Sequence, residues 1–431
     1  KIAYKPQAVD LIPKSFAGTV RQLLEKVNET NKMEEVTEAL SLHHFLDTAI
    51  DQVSGGELQR IAIAATLLKK ANLYIFDEPT SYLDIKQRLK VAGIIRELVN
   101  PEDPEKAENS VIVIEHDLIS LDYITDLVHI MYGKEGSFGV VSQPKTTKEG
   151  INIYLGGHLP AENVRFREYK IQFDVKAPLD VKTRSVLTSW PKLTKQQGKF
   201  ALNIEPGDLH KHLVVGILGE NGIGKTTFVK LLAGIIPPDN GTVDTTITIS
   251  YKPQYLNGSS EELVQLVLAD AVQNYTNEII KPLEILPLLN KQLNQLSGGE
   301  LQRVAIAEAL SKKAHLILLD EPSAYLDVEQ RLAVSKVIKH FVEMRGISVF
   351  VVDHDLLFLD YVSDKLIVFT GQPAIAGTAT GPFSMESGMN QMLSHLEISL
   401  RRDEFSHRPR INKLSSYKDR EQKAAGKLYY T

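Results

Sequence analysis

The segment of the chain with the clearest chemical potential is a glycine-rich loop, GENGIGKTT, at Gly219–Thr227. Glycines let backbone N–H groups surround phosphate oxygens, and a helix N-terminus adds a favourable field. We expect Lys225 to reach the β- and γ-phosphates of a nucleotide and the hydroxyl of Thr226 to ligate Mg²⁺. The alternative is a glycine-rich turn without a ligand. The nucleotide-binding candidates in this loop are Gly219, Glu220, Asn221, Gly222, Gly224, Lys225, Thr226 and Thr227.

Two apolar runs, LYIFDE and LILLDE, each end in a pair of carboxylates. The first carboxylate of such a pair suits the coordination shell of Mg²⁺, and the second can act as a base towards an attacking water. A pair at a strand end can also cap a following helix, which is the structural alternative. The metal-site candidates are therefore Asp77 and Asp320, and the catalytic candidates are Glu78 and Glu321.

One Gln and one His in each half of the chain follow further predicted strands. We predict that Gln7 and Gln254 belong to the metal site, because a Gln can sense Mg²⁺ and the attacking water. We predict that His116 and His354 are catalytic, because a His can contact the γ-phosphate. The alternatives are an ordinary surface Gln and a His that caps or packs.

The string SGGE occurs twice and each time opens a predicted helix. A Ser and two glycines at a helix N-terminus can bind an anion without a lysine. The Ser can also be an N-cap that forms a capping box with Glu57 or Glu300, and the two roles are compatible. The nucleotide-binding candidates here are Ser54, Gly55, Gly56, Ser297, Gly298 and Gly299.

These motifs recur in one order, which indicates a duplicated domain rather than a solenoid. SGGELQR at Ser54–Arg60 returns at Ser297–Arg303. Likewise FDEPTSYLD, YKPQ and IEHDL in the first half have the counterparts LDEPSAYLD, YKPQ and VDHDL in the second. The phosphate loop has no counterpart in the first half. We therefore expect the chain to begin inside its first domain; a natural domain without this loop is the alternative.

Apolar runs that alternate with segments of helical periodicity must position these residues. Val214–Gly219 reads as a strand that leads into the phosphate loop, and Phe228–Ile236 as the helix after it. Continuous apolar runs before the carboxylates and histidines are typical of central parallel strands. The helices Glu57–Lys70 and Glu300–Lys313 are expected to end in basic residues, which favour the helix dipole. The predicted fold class is α/β, with ligands at the carboxyl ends of the strands.

Composition narrows the classes of protein that are possible. The 431 residues allow two or three domains. The absence of Cys excludes disulfides, thiolate metal sites and iron–sulfur clusters held by this chain, and it fits a cytoplasmic location. The formal net charge of -5 argues against a general polyanion binder. No apolar run reaches the ~18–20 residues of a membrane span, so we expect no membrane association.

Two segments outside the repeated motifs are expected to be ordered. Apolar residues such as Ile151 and Leu155 argue against a disordered linker between the halves. The C-terminal segment has nine Lys/Arg against four Asp/Glu, and Phe405, Ile411 and Leu414 give it apolar anchors. The predicted division is a first domain without phosphate loop at 1–131, a connector or hinge at 132–170, a second domain at 171–400 and a basic hinge or tail at 401–431.

The motifs GENGIGKTT, YKPQ, LSGGELQR, LLDEPSAYLD and VDHDL together resemble those of ATP-binding-cassette (ABC) ATPases. In that family they are the Walker A, Q-loop, signature, Walker B with D-loop, and switch-His motifs. The resemblance implies two P-loop NTPase domains that pair head to tail and bind ATP or ADP with Mg²⁺. Each ATP lies between the Walker A loop of one domain and the signature turn of the other. Trp190 resembles the aromatic residue that stacks on adenine, with a core Trp as the alternative.

By this resemblance, two composite sites are expected. One joins the phosphate loop Gly219–Thr227 and its neighbouring motif residues to the first signature turn, Ser54–Glu57. The other joins the motif residues of the first half to the second signature turn, Ser297–Glu300, but has no Walker A loop in this sequence. We therefore expect only one complete site.

The connector EGINIYLGGHLPAENVRFR, the D-loop SAYLD and the tail RRDEFSHRPRINKLSS are similar to the E branch, the RNase L inhibitor family. That resemblance implies a monomeric ATPase that splits ribosomes into subunits and is linked to termination and initiation. The implied partners are the small ribosomal subunit and its RNA, a release-factor-like protein and initiation factors. Two 4Fe–4S clusters are implied for an N-terminal domain that this sequence does not contain. The alternatives are the ATPase subunit of a membrane transporter and an F-branch translational ATPase, whose linker is typically a charged helical hairpin.

Overall fold

The computed structural model groups the chain into two compact units. The first contains Lys1–Gln172 and Asp403–Ser406, and the second contains Phe173–Arg402 and His407–Thr431. The four-part division of the sequence stays a prediction, and residues 174–184 of its second domain lie outside the described residues. The residues that the structure describes are 1–100, 102–103, 106–134, 137–171, 173, 185–243, 246–254, 258–413 and 416–429.

The first unit is built on a small parallel sheet. Its strands are β1 (Ile2–Lys5), β2 (Leu73–Asp77) and β3 (Ser110–Ile114), hydrogen-bonded in that order. Three antiparallel pairs follow: β4 (Leu127–Val128) with β7 (Lys145–Thr146), β5 (Met131–Lys134) with β6 (Phe138–Val141), and β8 (His158–Leu159) with β9 (Val164–Arg165). The helices are α1 (Ile12–Ser15), α2 (Val20–Val27), α3 (Met33–Ala39), α4 (Gly55–Leu67), α5 (Ile85–Glu97), α6 (Leu118–Ile124) and α7 (Thr147–Gly156), with 3₁₀ turns at Val9–Leu11 and His43–Phe45.

The second unit is built on an eight-stranded mixed sheet. In chain order its strands are β11 (Leu193–Gln197), β12 (Phe200–Ile204), β14 (Val214–Leu218), β15 (Ile249–Lys252), β16 (Leu316–Asp320), β17 (Ser348–Val352), β18 (Lys365–Gln372) and β19 (Ala376–Ser384). They are hydrogen-bonded in the order β11-β12-β19-β18-β14-β17-β16-β15. Two further pairs are β10 (Val186–Trp190) with β13 (Gly207–His210), and β20 (Leu400–Arg402) with β21 (Pro409–Ile411).

Eight α-helices are described in the second unit, several of which pack on this sheet. They are α8 (Lys225–Leu232), α9 (Val264–Val267), α10 (Ala269–Asn274), α11 (Gly298–Ser311), α12 (Val328–Arg345), α13 (Leu356–Val362), α14 (Met385–His395) and α15 (Tyr417–Ala425). A π-helical turn lies at Thr276–Ile280, and 3₁₀ turns lie at Leu286–Leu288 and Leu293–Gln295. The core under α8 contains Phe228, Phe350 and Phe369, all fully buried, each of which stabilises the fold by roughly 1.5–3 kcal/mol.

The same three-stranded arrangement occurs in both units, as the repeated motifs predicted. β1, β2 and β3 are parallel and adjacent in the first unit, and β15, β16 and β17 are parallel and adjacent in the second. In both, the carboxylate pair follows the middle strand. The α/β fold class is confirmed, and the predicted strands match the observed strands to within a residue or two at their ends.

The helices after the signature turns end earlier than expected. α4 ends at Leu67 and α11 ends at Ser311, so the basic pairs Lys69–Lys70 and Lys312–Lys313 follow the helices. Lys312 already has an extended backbone, because the chain must turn there into strand β16. The prediction that lysines occupy the last helical turn is therefore wrong. Lys312 nevertheless forms an ion pair with Glu308 at 2.7 Å.

The described part of the connector contains the helix α7, as its apolar residues indicated, and the tail is only partly as expected. Ile151 and Leu155 are buried in α7. Ile411 of the tail is also buried, but the Phe405 side chain is 74% exposed and is not a buried anchor; Leu414 lies outside the described residues. None of the helices in the described part of the chain combines the length and apolar character needed to cross a bilayer.

Candidate nucleotide-binding site

The phosphate loop lies at the carboxyl end of β14, between this buried strand and α8. Gly224 caps α8 with a φ of 96°, a left-handed conformation that favours glycine. A Cβ at Gly224 would also lie 2.9 Å from Leu202 Cδ1 and 3.0 Å from Phe200 Cζ. The loop therefore requires glycine here for backbone conformation and for space.

The Lys225 side chain spans the loop and is buried. Its Nζ donates to the carbonyl oxygens of Gly219 at 2.9 Å and Glu220 at 2.7 Å. These bonds draw the loop around a buried ammonium group, so the positive charge is already in place for an anion. At the edges of the loop, Glu220 Oε1 lies 3.0 Å from His395 Nε2, and the Thr227 hydroxyl donates to Gln197 at 3.2 Å.

Thr226 and Asp320 form a hydroxyl–carboxylate pair beside the loop. Thr226 Oγ1 donates to Asp320 Oδ2 at 2.9 Å, and Asp320 is 1% exposed. Its other oxygen, Oδ1, is buried without a hydrogen-bond partner in the described part of the chain. Burial raises the pKa of Asp320 to about 6, against the lowering effect of the Thr226 hydroxyl. A hydroxyl and an unpaired carboxylate oxygen suit Mg²⁺.

No cluster of three or more acidic or His side chains able to hold a metal occurs among the described residues. A Mg²⁺ ion at Thr226 and Asp320 would therefore take its remaining ligands from phosphate oxygens and water, as is usual for this ion. The chain has no Cys, so the 4Fe–4S clusters implied by the resemblance do not fit its own residues.

Glu321 is held by two neighbouring side chains. Gln254 Nε2 donates to Glu321 Oε1 at 2.7 Å, and His354 Nε2 lies 3.5 Å from the same oxygen. Burial opposes ionisation, but His354, Gln254 and Lys225 together outweigh it and lower the pKa of Glu321 to about 2. The carboxylate is therefore ionised at neutral pH, which is the state that a base needs, while Gln254 donates a hydrogen bond to it.

A buried aspartate supports the backbone around His354. Asp353 accepts from the amides of His354 at 2.7 Å and Asp355 at 2.9 Å. Its carboxylate also accepts from the Ser323 hydroxyl at 2.7 Å, which links the end of β17 to the loop after Glu321. Burial raises the pKa of Asp353. His354 itself is 9% exposed, so its ring is fixed by its surroundings rather than free in solvent.

The first unit brings together the four residues that correspond to Gln254, Asp320, Glu321 and His354, namely Gln7, Asp77, Glu78 and His116. Gln7 Nε2 donates to Glu78 Oε1 at 2.6 Å, and His116 Nε2 lies 3.6 Å from that oxygen. Tyr4 donates its hydroxyl hydrogen to Asp77 Oδ2 at 3.1 Å. The spacing of these motifs thus produces the same cluster in both units.

Both signature turns form the capping box that was one of the two interpretations. Ser297 Oγ accepts from the Glu300 amide at 3.3 Å, and Glu300 Oε2 accepts from the Ser297 amide at 2.8 Å. In the first unit the same two bonds join Ser54 and Glu57, at 3.4 and 2.7 Å. Gly55 and Gly298 open α4 and α11, followed by Gly56 and Gly299. Anion binding at these turns stays a prediction.

The expected stacking of Trp190 on adenine is wrong for this structure. Trp190 is 4% exposed, and its indole Nε1 donates to the Glu205 carbonyl at 3.0 Å. Phe228 and Phe350 pack against its ring at centroid distances of 6.1 and 6.2 Å. The ring belongs to the core of the second unit and has no open face for a base. The ring of Phe200 lies beside Gly224 of the phosphate loop, where an added Cβ would be 3.0 Å from its Cζ.

Comparisons with known proteins identify the family. The sequence model of the family described as "ABC transporter" matches residues 1–81 and 203–324. Over the whole chain, the sequence is 45% identical to "ABC transporter E family member 1" of Arabidopsis thaliana, and it spans 72% of that protein. The chain belongs to the E family of ABC proteins. This membership replaces the transporter-subunit and F-branch alternatives.

Other relatives of this E-family chain are translation proteins by name. The chain is 42% identical, over its whole length, to 72% of "Translation initiation factor RLI1" of Saccharomyces cerevisiae. Its structure covers 83% of an archaeal ribosome recycling factor, aABCE1, solved with the ribosomal stalk protein aP1, with a TM-score of 0.92 and 50% identity. It covers 73% of ABCE1 in a model of ribosome-bound archaeal Pelota and ABCE1, with a TM-score of 0.93 and 50% identity. The E-family chain is an ATPase of the ABC type.

Sequence reasoning missed two pairs of buried polar residues in this E-family protein. Lys252 and Gln302 both contact main-chain oxygens at the end of β16, and Lys5 and Gln59 do the same at the end of β2. A signal was present, because the Lys lies inside the repeated YKPQ and the Gln inside the repeated SGGELQR. Any residue can supply a main-chain carbonyl, so the motifs alone do not identify the residue that these Lys and Gln side chains contact.

Proposed function

We propose that this chain hydrolyses ATP and uses the ATP cycle to split ribosomes into subunits after termination. The observation that carries the proposal is the similarity along the whole chain to E-family proteins, including a ribosome recycling factor at a TM-score of 0.92. The preassembled cluster around Asp320 and Glu321 supports the ATPase chemistry.

The phosphate loop binds the nucleotide through its backbone amides and Lys225. In this proposal the Lys225 ammonium exchanges its bonds to Gly219 and Glu220 for phosphate oxygens, so the loop needs little reorganisation. Thr226 and Asp320 hold Mg²⁺, which when bound supplies positive charge to the β- and γ-phosphates. The Asp320 Oδ1 atom, buried without a partner in the described residues, supports this assignment.

Glu321 accepts the proton of the attacking water in this proposal. Gln254 and His354 both lie against Oε1 of the ionised carboxylate, so this oxygen is not available to a water molecule while they are in place. A pKa of about 2 makes the carboxylate a weak proton acceptor while it is held this way. We propose that Gln254 and His354 turn from Glu321 towards the water and the γ-phosphate during hydrolysis, which frees Oε1.

In this proposal, the signature turn of the other unit completes each site. We infer that Ser54, Gly55 and Gly56 bind the γ-phosphate of the nucleotide on Gly219–Thr227, and that Ser297, Gly298 and Gly299 serve the motif residues of the first unit. ATP that bridges two domains binds the closed state better than the open state, so binding closes the domains and hydrolysis reopens them. This cycle supplies the movement that separates subunits.

The proposed partners follow from the same relatives. We propose that the chain binds the small ribosomal subunit and its RNA, meets a release-factor-like protein on the ribosome and is linked to initiation factors, in the cytoplasm. A match to ABCE1 beside ribosome-bound Pelota supports this list. Incubation with purified small subunits and a non-hydrolysable ATP analogue should retain the protein in the subunit pellet, and ADP should release it. Equal recovery with either nucleotide, or none with both, would refute ATP-dependent subunit binding.

A further inference from the structure

The backbone of each proposed catalytic glutamate is strained. Glu321 has a φ of 49° and Glu78 has a φ of 46°, both in the left-handed region that non-glycine residues rarely adopt. Such a conformation costs of order 1–3 kcal/mol and persists only where surrounding contacts enforce it. It recurs at the same motif position in two units, so it is a feature of the fold rather than an isolated irregularity.

Two buried donors hold the strained peptide in the second unit. Lys252 Nζ donates to the carbonyl oxygen of Asp320 at 2.7 Å and to that of Glu321 at 3.3 Å. Gln302 Nε2 donates to the Glu321 carbonyl at 2.6 Å. The two side chains approach from different elements, since Lys252 ends β15 and Gln302 lies in α11.

The first unit repeats this arrangement almost atom for atom. Lys5 Nζ donates to the carbonyls of Asp77 at 2.7 Å and Glu78 at 3.2 Å, and Gln59 Nε2 donates to Glu78 at 2.6 Å. The same two types of donor therefore contact the same carbonyls in both units.

Burying these donors costs free energy unless their hydrogen bonds compensate for the lost hydration. Lys252 and Gln302 are each 1% exposed, and Lys5 and Gln59 are fully buried. A buried ammonium group is costly unless it is hydrogen-bonded, and both lysines donate to these carbonyls. An apolar side chain would avoid that cost but would leave the strained carbonyls unpaired.

We propose that Lys252 and Gln302 are positioning residues that hold the Glu321 peptide in its left-handed conformation and so aim the carboxylate at the attacking water. Lys5 and Gln59 do the same for Glu78. The inference rests on the proposed role of Glu321 as the base. It also gives α11 a direct connection to the base, because the helix that begins at the signature turn carries Gln302.

The test compares Lys252→Met and Gln302→Met with Ser250→Ala in the full chain. Met removes the donor but keeps most of the side-chain length. Ser250 is the matched control, because its hydroxyl also links β15 to α11, through the Ala309 carbonyl at 2.9 Å, without contacting Glu321. Single-turnover hydrolysis and ATP affinity are measured for each variant, and thermal unfolding checks that each is folded.

Lys252→Met and Gln302→Met should each slow hydrolysis about 10-fold or more, since a misplacement of about 1 Å can cost ~10²-fold. ATP affinity should stay within about 2-fold, and Ser250→Ala should hydrolyse like the wild type. Lys252→Arg, which restores a donor, should recover part of the rate. Equal losses in Ser250→Ala, or a loss confined to ATP affinity, would overturn the proposal.

The same variants in a Glu321→Gln background separate this inference from the proposed function. If the donors act by aiming the Glu321 carboxylate, they should cause no further loss once that carboxylate is gone. A further 10-fold loss in that background would overturn the positioning role. If Glu321→Gln alone leaves hydrolysis unchanged, the assignment of the base has failed instead, and any effect of Lys252→Met then belongs to another step.

Discussion

At the scale of single residues, the site depends on charges held in unusual environments. Lys225, Asp320 and Glu321 lie together beside the phosphate loop, and each is tied to a neighbour before any ligand arrives. Such preorganisation lowers the cost of assembling the site during the reaction. In the proposed mechanism, Glu321 acts as the base once Gln254 and His354 leave its Oε1 atom, so these neighbours take part in the timing of hydrolysis.

Glu321→Gln should slow hydrolysis and leave ATP binding intact. The amide preserves the shape but cannot accept the proton, a loss that typically costs about 10²–10⁴-fold. Glu308→Gln is the control, because Glu308 lies in the same unit and pairs with Lys312 away from the loop. Rapid-quench hydrolysis and nucleotide titration give the two quantities. Unchanged turnover, or loss of ATP binding, would remove Glu321 from the role of base.

The same substitution should change how stability depends on pH. The pKa of Glu321 is lower in the folded state, about 2, than its ordinary value of 4.5. Ionised Glu321 therefore stabilises the fold above pH 4.5, and this contribution is lost as pH falls towards 2. The difference in unfolding free energy between wild type and Glu321→Gln should be constant above pH 5 and shrink below it. Denaturant titrations at several pH values measure it; a constant difference down to pH 3 would contradict the assignment.

At the scale of elements, strands deliver the carboxylates and helix N-termini deliver the signature turns. β2 and β16 each end at the Asp of the carboxylate pair, and α4 and α11 each begin one residue after a capping Ser. Because the Ser caps the helix, replacing it can change the stability of the fold as well as the proposed contact with phosphate. A variant that keeps the cap and changes the charge separates the two.

Ser54→Asp should keep the helix cap and lose ATP-driven closure. Asp caps as well as Ser, so stability should be retained, whereas Ser54→Ala should cost ~1 kcal/mol. The added negative charge should repel the γ-phosphate and slow hydrolysis on Gly219–Thr227. Chemical denaturation reports the cap and single-turnover hydrolysis reports the phosphate contact. Wild-type hydrolysis by a stable Ser54→Asp variant would show that this turn does not contact phosphate.

The local motifs were predictable from sequence, and the tertiary partners were not. The phosphate loop and the capping boxes follow from residues within a few positions of one another, which fix the backbone locally. Trp190 was misassigned because only the packing of Phe228 and Phe350 reveals that its ring is enclosed. Lys252 and Gln302 were missed because their partners are main-chain oxygens 68 and 19 residues away.

At the scale of the whole molecule, the tail has a net positive charge, whereas the rest of the chain has a net negative charge. Arg401 and Arg410 are directly opposite one another in the β20–β21 pair. Arg408 is fully buried and Arg402 faces Asp360 at 3.9 Å, so these two are poor candidates for contacting a partner. Arg401 and Arg410 are both half-buried rather than enclosed, so we predict that this pair contacts ribosomal RNA.

Replacing both Arg401 and Arg410 by Glu should weaken binding to the small subunit, more strongly at low salt, where screening is least. Guanidinium groups bind phosphate bidentately, and carboxylates repel it. Lys281→Glu with Lys313→Glu, two exposed lysines outside the tail, is the matched control for net charge. Sedimentation at two ionic strengths measures the effect. Equal losses in both double variants would indicate a general charge effect rather than contact by the tail.

The central claim is that ATP-driven domain movement splits ribosomes. The most direct measurement is a sucrose-gradient separation of post-termination ribosomes incubated with the protein, ATP and a release-factor-like protein. Wild type should convert the ribosome peak into separate subunits, and Lys225→Ala, which removes the phosphate-loop ammonium, should leave the peak intact. Splitting of ribosomes by Lys225→Ala at the wild-type rate, or no splitting by the wild type, would contradict the account.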